Sequence, residues 1–166
     1  MNNLNENNLT EQSFIEWSKS QGYDYVYGPD INPGQIRAER DDFRSVILKD
    51  RLLGAIRRIN PLLPANQAEI LVKEISDYNN ADLILGNKEV HSWIVNGKKI
   101  SWRENGEEKN DLIKLIDFSS VETNEFLVVN QFTVKGQDSI VSCESTPLVP
   151  LYANVHCLPK DQWSFL

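Results

Sequence analysis

Arg37, Arg40 and Arg44 are the residues best suited by type and spacing to address a phosphate backbone. They alternate with Glu39, Asp41 and Asp42, and such a mixture of charge reads as the solvated start of a helix. The two histidines, His91 and His156, and the two cysteines, Cys143 and Cys157, do not stand at zinc-ligand spacing. Two cysteines are also too few for a disulfide framework, which makes a reducing cytoplasm the expected compartment. His91 reads as a structural histidine, and Trp17, Trp93, Trp102 and Trp163 read as core or edge residues rather than a base-stacking platform. Glu11 falls in the first turn of an expected helix, where an acid favours the helix dipole. No Gly-x-x-x-x-Gly-Lys phosphate loop occurs, so no ATP site is expected.

The balance of charge sets a limit on any role with nucleic acid. The formal net charge is -7, whereas a protein that holds DNA by itself normally presents a basic face. If DNA is the substrate, another component must hold it. At 166 residues, with 40% hydrophobic and 25% charged residues, the chain has the length and composition of one soluble domain. No apolar run approaches the roughly 20 residues that span a bilayer, so no membrane partner is expected. The Asn-rich start lacks a basic and an apolar stretch, which excludes a signal peptide and leaves residues 1–9 as an expected disordered lead.

The elements that must position these groups follow from periodicity. Thr10 is a plausible N-cap for a first helix that Gly22 stops. Tyr23 to Tyr27 alternates like a strand and ends in a turn at Gly28-Pro29-Asp30. From Asp42 onward Val46, Ile47, Leu48, Leu52, Leu53, Ile56 and Ile59 form an apolar helical stripe, closed by Asn60-Pro61. A second helix from about Asn66 carries Ala68, Ile70, Leu71 and Ile75, and a third runs from Leu83 to a C-cap at Asn96-Gly97. The period then changes. Stretches around Ile100 and Ile113 flank Asn105-Gly106 as a β-hairpin, and Glu125 to Val134 is a strand apolar on both faces, hence central in a sheet.

Several of these stretches, in order, resemble the N-terminal region of the R subunits of type I restriction enzymes, the HsdR family. They are Gly22-Tyr23-Asp24-Tyr25-Val26-Tyr27-Gly28, Val46-Ile47-Leu48-Lys49-Asp50-Arg51-Leu52, Arg58-Ile59-Asn60-Pro61 and Leu115-Ile116-Asp117-Phe118. The most specific is Asn124-Glu125-Phe126-Leu127-Val128-Val129-Asn130-Gln131-Phe132-Thr133-Val134. The resemblance implies an α/β (α+β) fold: a single restriction-endonuclease-like domain, a mixed sheet flanked by helices, over residues 10–134. It also implies a Mg²⁺-dependent, type I site-specific deoxyribonuclease whose partners are DNA and the methyltransferase and specificity subunits. In that family an Asp and a Glu-x-Lys on the next strand do the chemistry. Two carboxylates hold the hard cation, and the lysine, on the same strand face as the glutamate, supports the reacting oxygens.

The sequence departs from the family at that motif, in a divergent segment over residues 135–166. Asp138 is the candidate for the family's Asp, with Gln137 in place of a proline, and Ile140-Val141 fits the following strand. Pro147-Leu148-Val149 aligns with the turn into the Glu-x-Lys strand, which places Tyr152-Ala153-Asn154 on the Glu-x-Lys positions. A neutral phenol is a poor ligand for Mg²⁺, and Asn has no charge to stabilise an alkoxide. From His156 the tail does not resemble the family. Glu107-Glu108-Lys109 is the one Glu-x-Lys elsewhere, expected to be solvated in the hairpin turn. By resemblance Glu11 is a second candidate metal carboxylate beside Asp138. The expected function is therefore a restriction nuclease module that does not cut productively alone. The alternative is a non-catalytic interaction or decoy protein, or a decayed remnant of a restriction subunit.

Overall fold

Gly22 fixes where the first helix ends. With φ at 90° it takes the left-handed conformation that glycine adopts at little cost, and the N–H groups of Gly22 and Tyr23 turn back to the carbonyls of Lys19 and Ser18 at 3.0 and 3.1 Å. This is the Schellman closure of α1 (Glu6–Ser20). The helix opens at Glu6, ahead of Thr10, and so takes in residues expected in the lead. The computed structural model describes residues 6–135 and 140–148, with side chains over residues 11–135.

Contacts divide the chain into two compact units, residues 1–48 with 126–166, and residues 49–125. In the first, β1 (Asp24–Tyr27) pairs in parallel with β4 (Leu127–Lys135), and β4 pairs antiparallel with β5 (Ile140–Leu148). The order β1-β4-β5 makes β4 central, as its two buried faces require. Ile31, Leu48, Leu127, Val129 and Phe132 form the core on one face of this sheet, with Val26 and Val134 packed against it. A short 3-10 turn, Gly28–Ile31, carries the chain off the end of β1 and delivers Ile31 to that core.

The second unit is mostly helical. α2 (Lys49–Ile59) buries Leu52, Ala55 and Ile56, and α3 (Ala65–Ser76) buries Ala68, Leu71, Val72 and Ile75. α4 (Leu83–Asn96) begins at Asp82, whose carboxylate accepts from the N–H groups of Ile84 and Leu85 at 2.9 and 3.1 Å, and ends at Gly97 with φ at 81°. β2 (Lys98–Glu104) and β3 (Glu107–Ile113) form the hairpin, turned by Asn105 and Gly106 at φ 53° and 86°, the paired positive values of a type I′ turn. Arg51 and Arg58 of α2 converge on Glu125, and Arg58 Nε also donates to the Thr123 carbonyl at 2.6 Å, fixing the 3-10 turn Val121–Thr123.

The α/β class expected from the sequence holds: four helices and a mixed sheet among the described residues. Two local readings are corrected. The helix expected from Asp42 begins only at Lys49. The Asp42 carboxylate caps the Arg44 N–H at 2.8 Å and the Asp42 carbonyl accepts from Ser45 at 3.0 Å, closing a turn in place of a helical one. Leu48 then serves the sheet core, not the helix stripe. Pro147 and Leu148, expected in a turn, lie in β5 opposite Val128 and Leu127. β5 is at the edge of the described sheet, where proline is tolerated.

Candidate functional site

The polar face of the mixed sheet is assembled by alternation along β1. Val26 packs into the core, so Tyr25 and Tyr27 project to the opposite face. There the Tyr25 hydroxyl donates to Asn130 Oδ1 at 3.0 Å and the Tyr27 hydroxyl to Gln131 Oε1 at 3.2 Å. Asn130 is 7% exposed although polar, and the Tyr25 hydroxyl supplies a partner for its carboxamide oxygen. α1 covers this face: Lys19 Nζ stands 4.5 Å over the Tyr25 ring, and the Glu11 carboxylate acts on the same tyrosine. Burial holds the Tyr25 hydroxyl above its usual titration range, and the negative charges of Glu11, Tyr27 and Asp30 push in the same direction, against the Asn130 hydrogen bond.

Gln131 is the hinge of the arrangement. In an unbroken strand the residue after Leu127 and Val129 on the core face would be Gln131. Instead Phe132 and Val134 join that face. Gln131 takes φ at 51°, which rotates the strand by one step and leaves no pair at that position between Asn130–Ser145 and Phe132–Cys143. Two adjacent polar side chains, Asn130 and Gln131, are thereby both kept out of the apolar core. Gly28 is shaped to this kink: a Cβ there would stand 2.9 Å from the Gln131 carbonyl carbon and closer still to the Asn130 oxygen.

Beneath the other face lies a buried cation. Arg40 is 5% exposed, with its guanidinium 4.0 Å over the Phe132 ring and 5.3 Å from that of Phe43. It donates to Asn32 Oδ1 at 2.5 Å and to the Ser45 carbonyl at 3.4 Å, while its Nε has no partner among the described residues. Burial lowers its affinity for the proton, opposed by Asp42. The three arginines read together as a solvated helix start are thus separated: Arg37 and Arg44 are exposed, Arg40 is interior, and none is helical. The sequence signal for this was the aromatic Phe43 near Arg40, together with Asn-Pro-Gly ahead of it, which favours a loop over a helix.

Of the candidate metal carboxylates, Glu11 is on α1 at the polar face, and Asp138 lies outside the described residues, as do Tyr152, Ala153 and Asn154. Among the described residues no three acids, histidines or cysteines converge on a common point, so these residues do not by themselves fit a magnesium ion. Glu107 and Lys109 do share a strand face, 3.7 Å apart, but in β3 of the other unit, and well solvated. Their place is in the strand, not in the turn expected for them. The tyrosine pair opposite Asn130 and Gln131 was the element missed from sequence, although both stretches stood out separately.

Residues 3–141 match the family model described as type I restriction enzyme R protein N terminus (HSDR_N). The chain is 39% identical over 132 residues to the putative type I restriction enzyme MjaIXP endonuclease subunit of Methanocaldococcus jannaschii, covering 80% of this chain and 12% of that protein. It is 30% identical over 134 residues to the type I restriction enzyme HindI endonuclease subunit of Haemophilus influenzae, covering 81% and 13%. The chain therefore spans a small fraction of the length of these relatives. No solved structure matches it.

Proposed function

The chain belongs to the family of type I restriction enzyme R protein N termini, and on that premise we propose that it is the nuclease-side module of a DNA restriction subunit that does not cut DNA productively by itself. The observation that carries the reading is the strand Leu127–Lys135. It holds the family's Asn130-Gln131-Phe132 block within the matched residues and builds the polar face against Tyr25 and Tyr27. The substrate would be duplex DNA held by the assembled system, with the methyltransferase and specificity subunits as partners. An acidic chain of net charge -7 is poorly suited to hold DNA alone.

Lack of cleavage follows from chemistry at the motif positions. Magnesium would be the cofactor by family, with Asp138 and Glu11 as the carboxylates available to it. Tyr152 and Asn154, at the Glu-x-Lys positions, supply neither the second strand carboxylate nor the ammonium that phosphodiester hydrolysis calls on. Incubating the purified chain with supercoiled plasmid and Mg²⁺ or Mn²⁺ tests this. Persistence of the supercoiled form is expected, and nicking that disappears in Asp138→Ala would refute it.

A second reading is favoured by the acidic charge: a non-catalytic interaction protein or decoy, or a decayed remnant, that retains the family's docking surface. Binding to a methyltransferase or specificity subunit, without cleavage, separates the docking form of this reading from a remnant that binds nothing.

A further inference from the structure

The chain contains two Asn-Gly pairs, Asn96-Gly97 and Asn105-Gly106, and the fold treats them differently. In such a pair the backbone nitrogen of the glycine can attack the side-chain amide carbon of the asparagine, because glycine carries no Cβ to shield it. Asn96 is the last residue of α4, and its Nδ2 donates to Ser92 Oγ at 3.2 Å. Gly97 is hemmed in: a Cβ there would stand 3.0 Å from the Ile113 carbonyl oxygen and 3.1 Å from the Leu112 side chain. The next residue, Lys98, is buried and pairs with the buried Ile113, so movement at this pair would disturb the core.

Asn105 and Gly106 have none of these restraints. They form the two-residue turn between the paired Glu104 and Glu107, and every residue from Arg103 to Leu112 is exposed. The Asn105 side chain has no hydrogen-bond partner among the described residues, and a Cβ at Gly106 would meet nothing within 4 Å. Ring closure takes Asn105 out of its turn conformation. The end of a two-stranded hairpin opens locally at little cost when no core rests on it. We propose that Asn105-Gly106 is a self-modification site, at which water converts the Asn105 amide to a carboxylate without an enzyme. Hydroxide takes the proton from the Gly106 nitrogen, which bonds to Asn105 Cγ. The Cγ–Nδ2 bond breaks, and ammonia leaves with a proton from water. Water then opens one of the two C–N bonds of the cyclic imide. Cleavage at Cγ gives aspartate, and cleavage at the main-chain carbonyl gives isoaspartate, with no change of oxidation state. Either product adds one negative charge to a chain already at -7. Isoaspartate also lengthens the backbone by one carbon, which a type I′ turn of two residues does not accommodate.

The test incubates the full chain in H₂¹⁸O at mildly alkaline pH, folded and in concentrated guanidinium chloride, followed by digestion and peptide mapping by mass spectrometry. In the folded chain one solvent oxygen should enter at Asn105, as a mixture of aspartate and isoaspartate, several-fold faster than at Asn96. In denaturant the two Asn-Gly pairs should react at similar rates, which shows that the fold and not the dipeptide sets the difference. The rate at Asn105 should rise with pH, since the glycine nitrogen must lose its proton. Equal rates at the two pairs in the folded chain, or Asn96 ahead, would overturn the proposal. So would an Asn105 that reacts in denaturant and stays intact in the folded chain.

Discussion

Tyr25 and Asn130 lie 105 positions apart in the chain and meet at 3.0 Å, the tyrosine hydroxyl donating to the carboxamide oxygen between neighbouring parallel strands. The bond ties the most distinctive block of the sequence to the aromatic strand near its start. Removing it with Tyr25→Phe leaves a nearly buried acceptor without its partner. A loss of about 1–3 kcal/mol in urea-denaturation stability is expected. An unchanged midpoint would mean that water replaces the hydroxyl freely.

The same tyrosine gives a pH dependence. Burial and then the charge of Glu11 raise its pKa above the ordinary phenol value of 10.0. The folded state thus binds this proton more tightly than the unfolded one. The contribution is complete below pH 10.0 and is lost as pH rises through the folded value. Ultraviolet titration should show one late-ionising phenol fewer in Tyr25→Phe than in the parent chain, in which Tyr78, bonded to Glu89, is raised as well. Equal titration of every tyrosine would remove the effect.

Gly28 and Gln131 form a matched pair. Gly28→Ala forces a Cβ into the Asn130–Gln131 backbone, where no flexible side chain can give way, and a loss of roughly 1–3 kcal/mol or more is expected. Gln131→Val places a β-branched residue at φ 51° and should cost about 1–3 kcal/mol, whereas Gln131→Asn, a residue that tolerates this conformation, should cost less. Thermal melts of the three variants check the ranking, and a Val variant as stable as the Asn variant would contradict the left-handed strand.

Asp117 lies half-buried in a turn, where the Ser119 N–H, followed by Lys114 and the Ser120 N–H, lowers its pKa below 3.8. Its stabilising charge is present above that ordinary carboxylate value and lost as pH falls through the folded one. Asp117→Asn keeps the acceptor and removes the charge. The stability gap between parent and variant should narrow as the pH is taken below 3.8, measured by acid titration of the fluorescence midpoint. A gap constant with pH would exclude the charge as its source.

Elements governed by local rules were legible in the sequence. Gly22, Gly97 and Asn105-Gly106 act where their φ requirements place them, and the doubly apolar strand from Leu127 is central. What was not legible depended on contacts distant in sequence. Arg40 reads as solvated because its neighbours Glu39, Asp41 and Asp42 are charged. Phe132, brought in by the β1–β4 pairing, gives its guanidinium the nearer of two aromatic faces, at 4.0 Å against 5.3 Å for Phe43. The apolar stripe from Val46 to Ile59 is periodic throughout, yet Leu48 is drawn to the sheet core and the helix starts after it. The face reversal at Gln131 is likewise invisible to periodicity, since it lies in a backbone torsion and not in a residue type.

The proposed reading has this module, as it stands, without the charges that grip a divalent ion. Calorimetric titration of the purified chain with Mn²⁺ measures that grip directly, without relying on cleavage. No saturable binding in the millimolar range typical of weak sites is expected, about 10⁻³ M. Stoichiometric binding that Asp138→Ala or Glu11→Gln abolishes would contradict it.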